Sequence, residues 1–313
     1  MPSTAIVFAT DERYAGPLQG TIRSLTAHLG DGEASLFVAA VDLSRSAKDD
    51  LARAARPFDV AFIPLSTASL AVTDFSLNPQ LTPATVARLR IPDLLPASIA
   101  RALYLDVDVL VRRPLTELLR TPLKDQAIAA VQDPAHPWLG SGGETFPWRV
   151  FGLDPRMPYC NTGVLLIDLV RWRAQDLTTR TLRLLAEHQL RWIDQDAVNG
   201  TLVGDWHHLP PTWNMLAPFH GTGQTYVHEA VDALDEALAD PRIVHFAGAV
   251  KPWTFDGRTL AFADEWLAHF LATPYAEKHR PLRRSAHLRW AAGKAGGRLA
   301  HAGATLLSKP ARW

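Results

Sequence analysis

The chain opens on a continuous apolar run, Ala5-Ile6-Val7-Phe8-Ala9, which reads as a buried strand of a parallel sheet. A polar loop follows, Thr10-Asp11-Glu12-Arg13-Tyr14. Leu18, Ile22, Leu25 and Leu29 then recur at helical spacing. Residues 34–41 and 60–63 read as further strands, with a helix over 47–55 between them. This alternation predicts a doubly wound α/β sheet, in which ligands bind beyond the carboxyl ends of the strands. The loop from Asp11 to Tyr14 falls at such an end. No GxGxxG fingerprint is present, so a dinucleotide fold is not indicated.

Further along, 73–82 reads as loop, and Pro83 starts a helix to Leu89 with proline in its first turn. Residues 102–111 form the strongest buried-strand pattern in the chain. A helix is expected over 114–119 and a strand over 127–131. Residues 133–159 form a Pro-, Gly- and Trp-rich loop, long for a compact domain and therefore a candidate functional segment. A strand over 164–169, one helix over 171–188, a short helix over 194–202, a strand over 243–246 and a helix over 262–271 complete the pattern.

Charge changes the picture at one end. From Lys278 onward there are nine Lys/Arg and no Asp/Glu, leaving 23 basic and 32 acidic residues in the rest of a chain whose formal net charge is zero. The whole-chain balance gives no reason to expect a nucleic-acid partner. The basic, Ala-rich segment beyond Arg280 suits an anionic membrane surface. The one cysteine, Cys160, excludes an intrachain disulfide and fits a reducing compartment. The apolar run at 5–9 is far too short for a signal core or a membrane span. The expectation is a soluble or peripheral protein.

The sharpest chemical signal lies in Leu103-Tyr104-Leu105-Asp106-Val107-Asp108-Val109-Leu110-Val111. Two carboxylates in an apolar run cost several kcal/mol unless compensated. On a strand they would point the same way and repel, so a proton or a divalent cation is expected between them. A strand end that merely meets solvent or a helix N-terminus is the alternative. His245 ends a later apolar strand and offers an imidazole to the same ion, Gly248 permits close backbone approach to a phosphate, and Lys251 supplies a point charge. Asn161-Thr162-Gly163 precedes a buried strand and would offer amide contacts to hydroxyls, or form an ordinary turn. Asp194 reads by default as an N-cap, with Gln195 and Asp196 facing a reacting group as the functional alternative. Arg88 would balance charge nearby or lie on a solvated helix face. Trp138, Trp148, Trp213 and Phe219 suit sugar stacking or simple packing.

Taken together, these blocks resemble the retaining family 8 glycosyltransferases, in the order seen in bacterial lipopolysaccharide α-galactosyl- and α-glucosyltransferases, with glycogenin more distant. The matching blocks are residues 8–14, 87–89, 103–108, 161–165, 194–196 and 245–253. The resemblance implies a GT-A fold: a Rossmann-like, nucleotide-sugar-binding mixed sheet flanked by helices over 1–275, with a basic C-terminal segment over 276–313. It implies a UDP-sugar donor, a glycan acceptor, retention of configuration and Mn²⁺, with Mg²⁺ as the alternative ion. Metal ligands would be Asp106, Asp108 and His245. The donor would meet Asp11 and Tyr14 at uracil, Gly248 and Lys251 at the diphosphate, and Arg88, Asn161, Asp194 and Gln195 at the sugar, with Ala9, Thr10, Val107, Thr162 and Gly163 also among the donor-binding residues. Gln195, Asp194 and Lys251 would be catalytic. The family's bacterial members dock a basic C-terminal segment on the inner membrane, which implies a cytoplasmic, peripheral protein. A metal-dependent phosphohydrolase or nucleotidyltransferase, and a non-catalytic nucleotide-sugar binder, are the rival readings.

Overall fold

The computed structural model describes residues 3–70, 82–141, 146–220 and 231–279 of the 313-residue chain. Its first half runs β1 (Ser3–Asp11), α1 (Ala15–Thr26), β2 (Ser35–Val41), α2 (Arg45–Ala54), β3 (Val60–Leu65), α3 (Pro83–Leu89), α4 (Ile91–Leu94), β4 (Ile99–Leu105), β5 (Val109–Val111) and α5 (Thr116–Arg120). The second half runs β6 (Ile128–Gln132), β7 (Cys160–Asp168), α6 (Leu169–Ala174), α7 (Leu177–Glu187), α8 (Ile193–Leu202), β8 (His207–His208), β9 (Met215–Leu216), α9 (Val231–Ala239), β10 (Ile243–His245), α10 (Ala263–Leu271) and α11 (Pro274–Lys278).

The strands form a seven-stranded sheet, β3-β2-β1-β4-β7-β6-β8, and a three-stranded sheet, β5-β10-β9. Strands β1 to β4 are mutually parallel where they pair, while β7 runs antiparallel to both β4 and β6. The sheet is therefore mixed rather than all parallel. Both of its faces are covered. Along β1, Ala5, Val7 and Ala9 enter one core and Ile6 and Phe8 the other; along β4, Ala102 and Tyr104 part from Leu103 and Leu105 in the same way. A strand buried on both faces reads as a continuous apolar run, which is how these two stand in the sequence. A third core, with Trp266 at its centre, lies against the small sheet.

Three expected elements differ from those observed. The single strand over 102–111 is two strands in two sheets, broken at Asp106-Val107-Asp108. The paired acids therefore sit in a turn, and their convergence does not come from strand pleating. The break is chemically provided for: the hydroxyl of Thr21 on α1 donates to the carbonyls of Val107 (2.7 Å) and Val109 (2.9 Å), and Ser24 Oγ accepts from the Val111 N–H (3.0 Å). The helix over 171–188 is split into α6 and α7 at Gln175-Asp176, where Asp176 takes a left-handed conformation (φ 50°). Asn161-Thr162-Gly163 lies within β7 instead of preceding it, because its polar groups find partners inside the site. The loop expected over 73–82 lies outside the described residues up to 81; Thr82 caps α3 by accepting from the Thr85 N–H.

At the far end, α11 packs beside α1 and α2, and Lys278 pairs with the buried Asp50 (2.7 Å). Residues 280–313, which carry most of the basic segment, lie outside the described residues.

Candidate active site

The site forms where the two sheets meet. Strand β4 ends at Leu105, and the Asp106 N–H donates to the carbonyl of Gly163 on neighbouring β7 (2.8 Å). Strand β10 pairs antiparallel with β5, setting His245 opposite Val109, and the Phe246 N–H donates to the Asp108 carbonyl (3.0 Å). Three distant stretches of chain are thereby locked edge to edge. Gly163 is required at this junction, since a Cβ there would overlap the His245 ring.

The three side chains converge. His245 Nε2 lies 3.5 Å from Asp106 Oδ2 and 3.4 Å from Asp108 Oδ1. One ligand atom from each residue can be chosen so that all lie within 4.8 Å of one another. Adjacent ligands of an octahedral ion on bonds of about 2.1 Å stand roughly 3 Å apart, so a divalent cation fits between these groups with small adjustments. The donor set is two carboxylate oxygens and an imidazole nitrogen, a mixture that suits Mn²⁺ better than Ca²⁺.

The other oxygens of the two acids are engaged elsewhere. Asp106 Oδ1 accepts from the Tyr104 hydroxyl (2.6 Å) and from Arg88 (2.8 Å). Asp108 Oδ2 pairs with the Lys251 ammonium, which also donates to the Phe246 carbonyl (2.9 Å). Burial opposes ionisation of Asp108, but the Lys251 and His245 charges overcome it and hold the carboxyl well below its usual range. Burial beside Asp106 raises the Tyr104 phenol, so it stays a donor. Arg88, on α3, reaches both Asp106 and Asp194 and donates to Thr162 Oγ1 (3.1 Å). Burial disfavours its charge, and the Tyr104–Asp106 pair more than restores it.

Asp194 is not the N-cap of α8. It sits one residue inside the helix, whose N-cap is Trp192, and its side chain is taken by Arg88. Gln195 is held at both ends of its amide: Oε1 accepts from the Thr162 N–H (3.2 Å), and Nε2 donates to Asp133 Oδ2 (3.1 Å). Asp196 turns away into the core, accepting from the Tyr159 hydroxyl (2.5 Å) and the Trp192 N–H (2.7 Å).

Around these groups opens a cleft of about 690 Å³, within the range of small-molecule sites. Its walls include Asp106, Asp108 and His245, with Arg88, Asn161, Thr162, Gly163, Asp194, Gln195, Gly248 and Lys251. Gly248 has a left-handed backbone (φ 86°), which glycine adopts without strain. Ala9, Thr10, Asp11, Tyr14 and Val107 are not among the lining residues. Ala9 and Thr10 are buried in β1, which runs beside β4 with Val7 opposite Tyr104. Asp11 accepts from the Tyr14 N–H (3.2 Å), closing the turn into α1. Of the four loop aromatics, Phe219 lines the cleft and Trp213 is core. Trp148 packs against the main core, and Trp138 forms a bridge with Pro158.

Sequence reasoning missed three residues that hold the site: Tyr104, Asp133 and Asn214. Tyr104 lies two residues before Asp106 on a strand, so its proximity was readable. Asn214 donates to Asn161 Oδ1 (2.9 Å) and faces His245 Nδ1 (3.1 Å), and nothing in its sequence surroundings signals this. It also missed Trp192, which is 42% exposed and stands at the cleft wall beside His136, ring centroids 5.4 Å apart.

Residues 5–257 match the profile of Glycosyl transferase family 8. The chain belongs to this family. It is 27% identical over 282 residues to General stress protein A of Bacillus subtilis strain 168, covering 85% of this chain and 92% of that protein. It is 29% identical over 164 residues to lipopolysaccharide 1,2-glucosyltransferase of Escherichia coli K12, which covers 51% of this chain and 46% of that one. The fold is that of the galactosyltransferase LgtC, solved with donor and acceptor sugar analogs. The TM-score is 0.71 at 24% identity, over 86% of this chain and 96% of that chain. The GT-A architecture expected from the sequence is thus the observed one, and the membership makes the protein a glycosyltransferase.

Asp196 supports a pH prediction. Burial pushes its carboxyl up to about 6, against the hydrogen bonds from Tyr159 and Trp192 that favour its charged form. A folded-state value above the unfolded one means that the contribution is greatest at low pH and is lost as pH rises from about 4 through about 6. The loss is on the order of 3 kcal/mol. In Asp196→Asn the amide oxygen still accepts from Trp192, and its NH₂ can donate to the Tyr159 hydroxyl. The variant is therefore expected to gain stability relative to wild type between pH 4 and pH 7 in urea unfolding. A difference that stays constant with pH contradicts the assignment.

Proposed function

We propose that the protein transfers a hexosyl group, galactose or glucose, from a UDP-sugar to a glycan acceptor, with retention of configuration. The acceptor class is lipopolysaccharide or another cell-surface glycan, a reading supported by the similarity to the lipopolysaccharide 1,2-glucosyltransferase of Escherichia coli. The observation that carries the reading is the convergence of Asp106 Oδ2, Asp108 Oδ1 and His245 Nε2 beside Lys251 in one cleft. Asp106, Asp108 and His245 would hold a manganese ion, or magnesium in its place. When bound, that ion supplies positive charge against the donor diphosphate.

The side chains then have distinct work. Lys251, which needs only to turn from Asp108, donates to the leaving phosphate oxygen as negative charge builds there. Gly248 lets the backbone approach the diphosphate. Arg88 holds Asp194 in place, and Asp194, Asn161 and Gln195 face the sugar hydroxyls. Ala9, Thr10, Asp11 and Tyr14 at the carboxyl end of β1, with Val107 in the turn, complete the nucleotide side. The C1–O bond to the β-phosphate breaks with its electron pair on oxygen. The acceptor oxygen bonds to C1, and its proton passes to the departing phosphate oxygen.

Front-face attack of this kind is supported by how the alternatives are occupied. Gln195 is tied at both amide ends, Asp194 is paired with Arg88, and Asp196 is buried outside the cleft. None of these is a free nucleophile beneath C1.

Incubation of the purified protein with UDP-galactose or UDP-glucose, Mn²⁺ and candidate glycans tests the reading. Donor consumption that requires acceptor supports transfer. Consumption without acceptor supports a hydrolase, and tight donor binding without turnover supports a binding protein. Among the described residues no helix is long and apolar enough to cross a membrane. We further propose that the basic segment over 276–313 attaches the protein to the cytoplasmic face of the plasma membrane. Deleting residues 281–313 is expected to weaken binding to vesicles containing anionic lipid and to spare transfer to soluble acceptors. Unchanged vesicle binding rejects the attachment.

A further inference from the structure

Between β10 and α10 the chain forms an arch. Phe246 and Pro252 are buried at its two feet, and residues 248–250 between them are exposed. The second foot is anchored by Trp253, which packs beside Trp266 in the third core, ring centroids 5.2 Å apart. Lys251 turns its side chain inward from the arch. Its ammonium pairs with Asp108 and donates to the Phe246 carbonyl (2.9 Å).

A lysine carries its charge on a flexible stem, so the reach of that charge is set by where the backbone stands. In the reaction proposed above Lys251 turns from Asp108 toward the departing phosphate and gives up the pairing that aims it. Its backbone must then be held from elsewhere. The Lys251 carbonyl accepts from both the N–H (2.8 Å) and the hydroxyl (2.7 Å) of Thr254. The same hydroxyl oxygen accepts from the Gly257 N–H (3.2 Å), in the 3₁₀ turn over Asp256–Thr259. Gly257 is buried against Lys251. A Cβ on it would overlap the Lys251 carbonyl group and lie 3.0 Å from the Pro252 nitrogen. These are backbone atoms, which cannot swing aside as a flexible side chain does. Gly257 is not among the glycines with positive φ, so space and not backbone freedom demands glycine here.

We infer that Gly257 and Thr254 are positioning residues that hold the Lys251 backbone against the Asp256–Thr259 turn, so that its ammonium reaches the donor diphosphate. The role in donor binding rests on the reading of Lys251 given above. Neither residue lines the cleft, so a loss of donor affinity on changing them cannot come from a contact of their own.

Gly257→Ala forces the Lys251 carbonyl and the turn apart, and a shift of about 1 Å at a reacting group can cost on the order of 100-fold. Thr254→Val keeps the side-chain shape and the backbone N–H but removes the hydroxyl that joins Lys251 to Gly257. Thr254→Ser keeps that hydroxyl. Thr254 is exposed, so its substitutions leave the core intact.

Titration calorimetry of the full chain with UDP and with UMP, both at saturating MnCl₂, reads the effect as the ratio of the two dissociation constants. UMP lacks the β-phosphate, so general damage to the fold weakens both ligands and leaves the ratio in place. Lys251→Met is expected to cut the preference for UDP roughly 10–100-fold, the worth of a hydrogen bond between charged groups. Gly257→Ala should cut it about 10-fold or more. Thr254→Val should lose part of the preference, and Thr254→Ser should match wild type. If Gly257→Ala does not fold, the two Thr254 variants carry the test. Site-resolved acetylation read by mass spectrometry, without nucleotide, gives a second measure. Lys251 should label faster in Gly257→Ala and Thr254→Val, with the exposed Lys124 unchanged. A UDP preference lost in Lys251→Met but kept in both of those variants overturns the inference. If Lys251→Met itself keeps the preference, the diphosphate reading of Lys251 fails and the labelling decides. Faster labelling of Lys251 then leaves the positioning role standing, and unchanged labelling overturns it.

Discussion

Replacing Arg88 with alanine is expected to destabilise the fold by about 3–5 kcal/mol, the range seen when one partner of a buried ion pair is removed. Arg88 is 14% exposed at its side chain and balances two carboxylates, Asp106 and Asp194. Its guanidinium also lies 5.3 Å from the Tyr104 ring centroid. The truncation leaves two partly buried anions facing one cavity and takes away the Thr162 contact. Arg88→Lys keeps the charge but loses the planar fork that reaches several partners at once. It should fall between wild type and Arg88→Ala. Guanidinium unfolding of the metal-free proteins measures both. A loss below about 1 kcal/mol for the alanine variant would place Arg88 among screened surface charges and contradict the described network.

Asp108→Asn is expected to lower transfer by at least about 100-fold, comparable to removing one strong electrostatic contributor from an active site. The same variant should keep its fold. The amide has nearly the shape of the carboxylate, and its oxygen can still accept from Lys251. What it lacks is the charge that opposes a divalent ion. Because the buried pair with Lys251 favours the ionised carboxyl, the metal-free variant should unfold at a lower temperature than wild type, while the upward shift produced by manganese with UDP largely disappears. Wild-type turnover in Asp108→Asn would remove the acid pair from the chemistry. A manganese-with-UDP shift as large as that of wild type would make its role structural.

The sequence carried the sheet well because its strands are buried on both faces, and such strands announce themselves as unbroken apolar runs. The same rule misled at residues 102–111. Two apolar strands there are separated by only three residues, and the pattern of Asp106-Val107-Asp108 on its own does not say whether the chain continues or turns. What decides is Thr21 and Ser24, more than eighty residues earlier, which satisfy the broken backbone. Local pattern cannot show a partner supplied from that distance.

The site divides along the same line. The two acids, His245, Gly248 and Lys251 stood out because each is polar or conformationally special against an apolar background. Arg88, Asn161, Asp194 and Gln195 each had an ordinary reading beside the functional one, and the structure brings all four to the cleft wall. Asp133 and Asn214 were silent. Their importance lies in which atom faces which, and a one-dimensional pattern holds no record of amide orientation. Asp133 did fall at the start of the long loop noted for its length, a signal about the segment and not about the residue.

The central claim is that Asp106, Asp108 and His245 hold one divalent ion against the donor diphosphate. Manganese anomalous diffraction from crystals grown with MnCl₂ and UDP tests it most directly. The account predicts a single peak within about 2.0–2.4 Å of a carboxylate oxygen of each acid and of His245 Nε2, with phosphate oxygens completing the coordination. A peak elsewhere, or ordered UDP in the cleft with these three side chains directed away from it, would contradict the account.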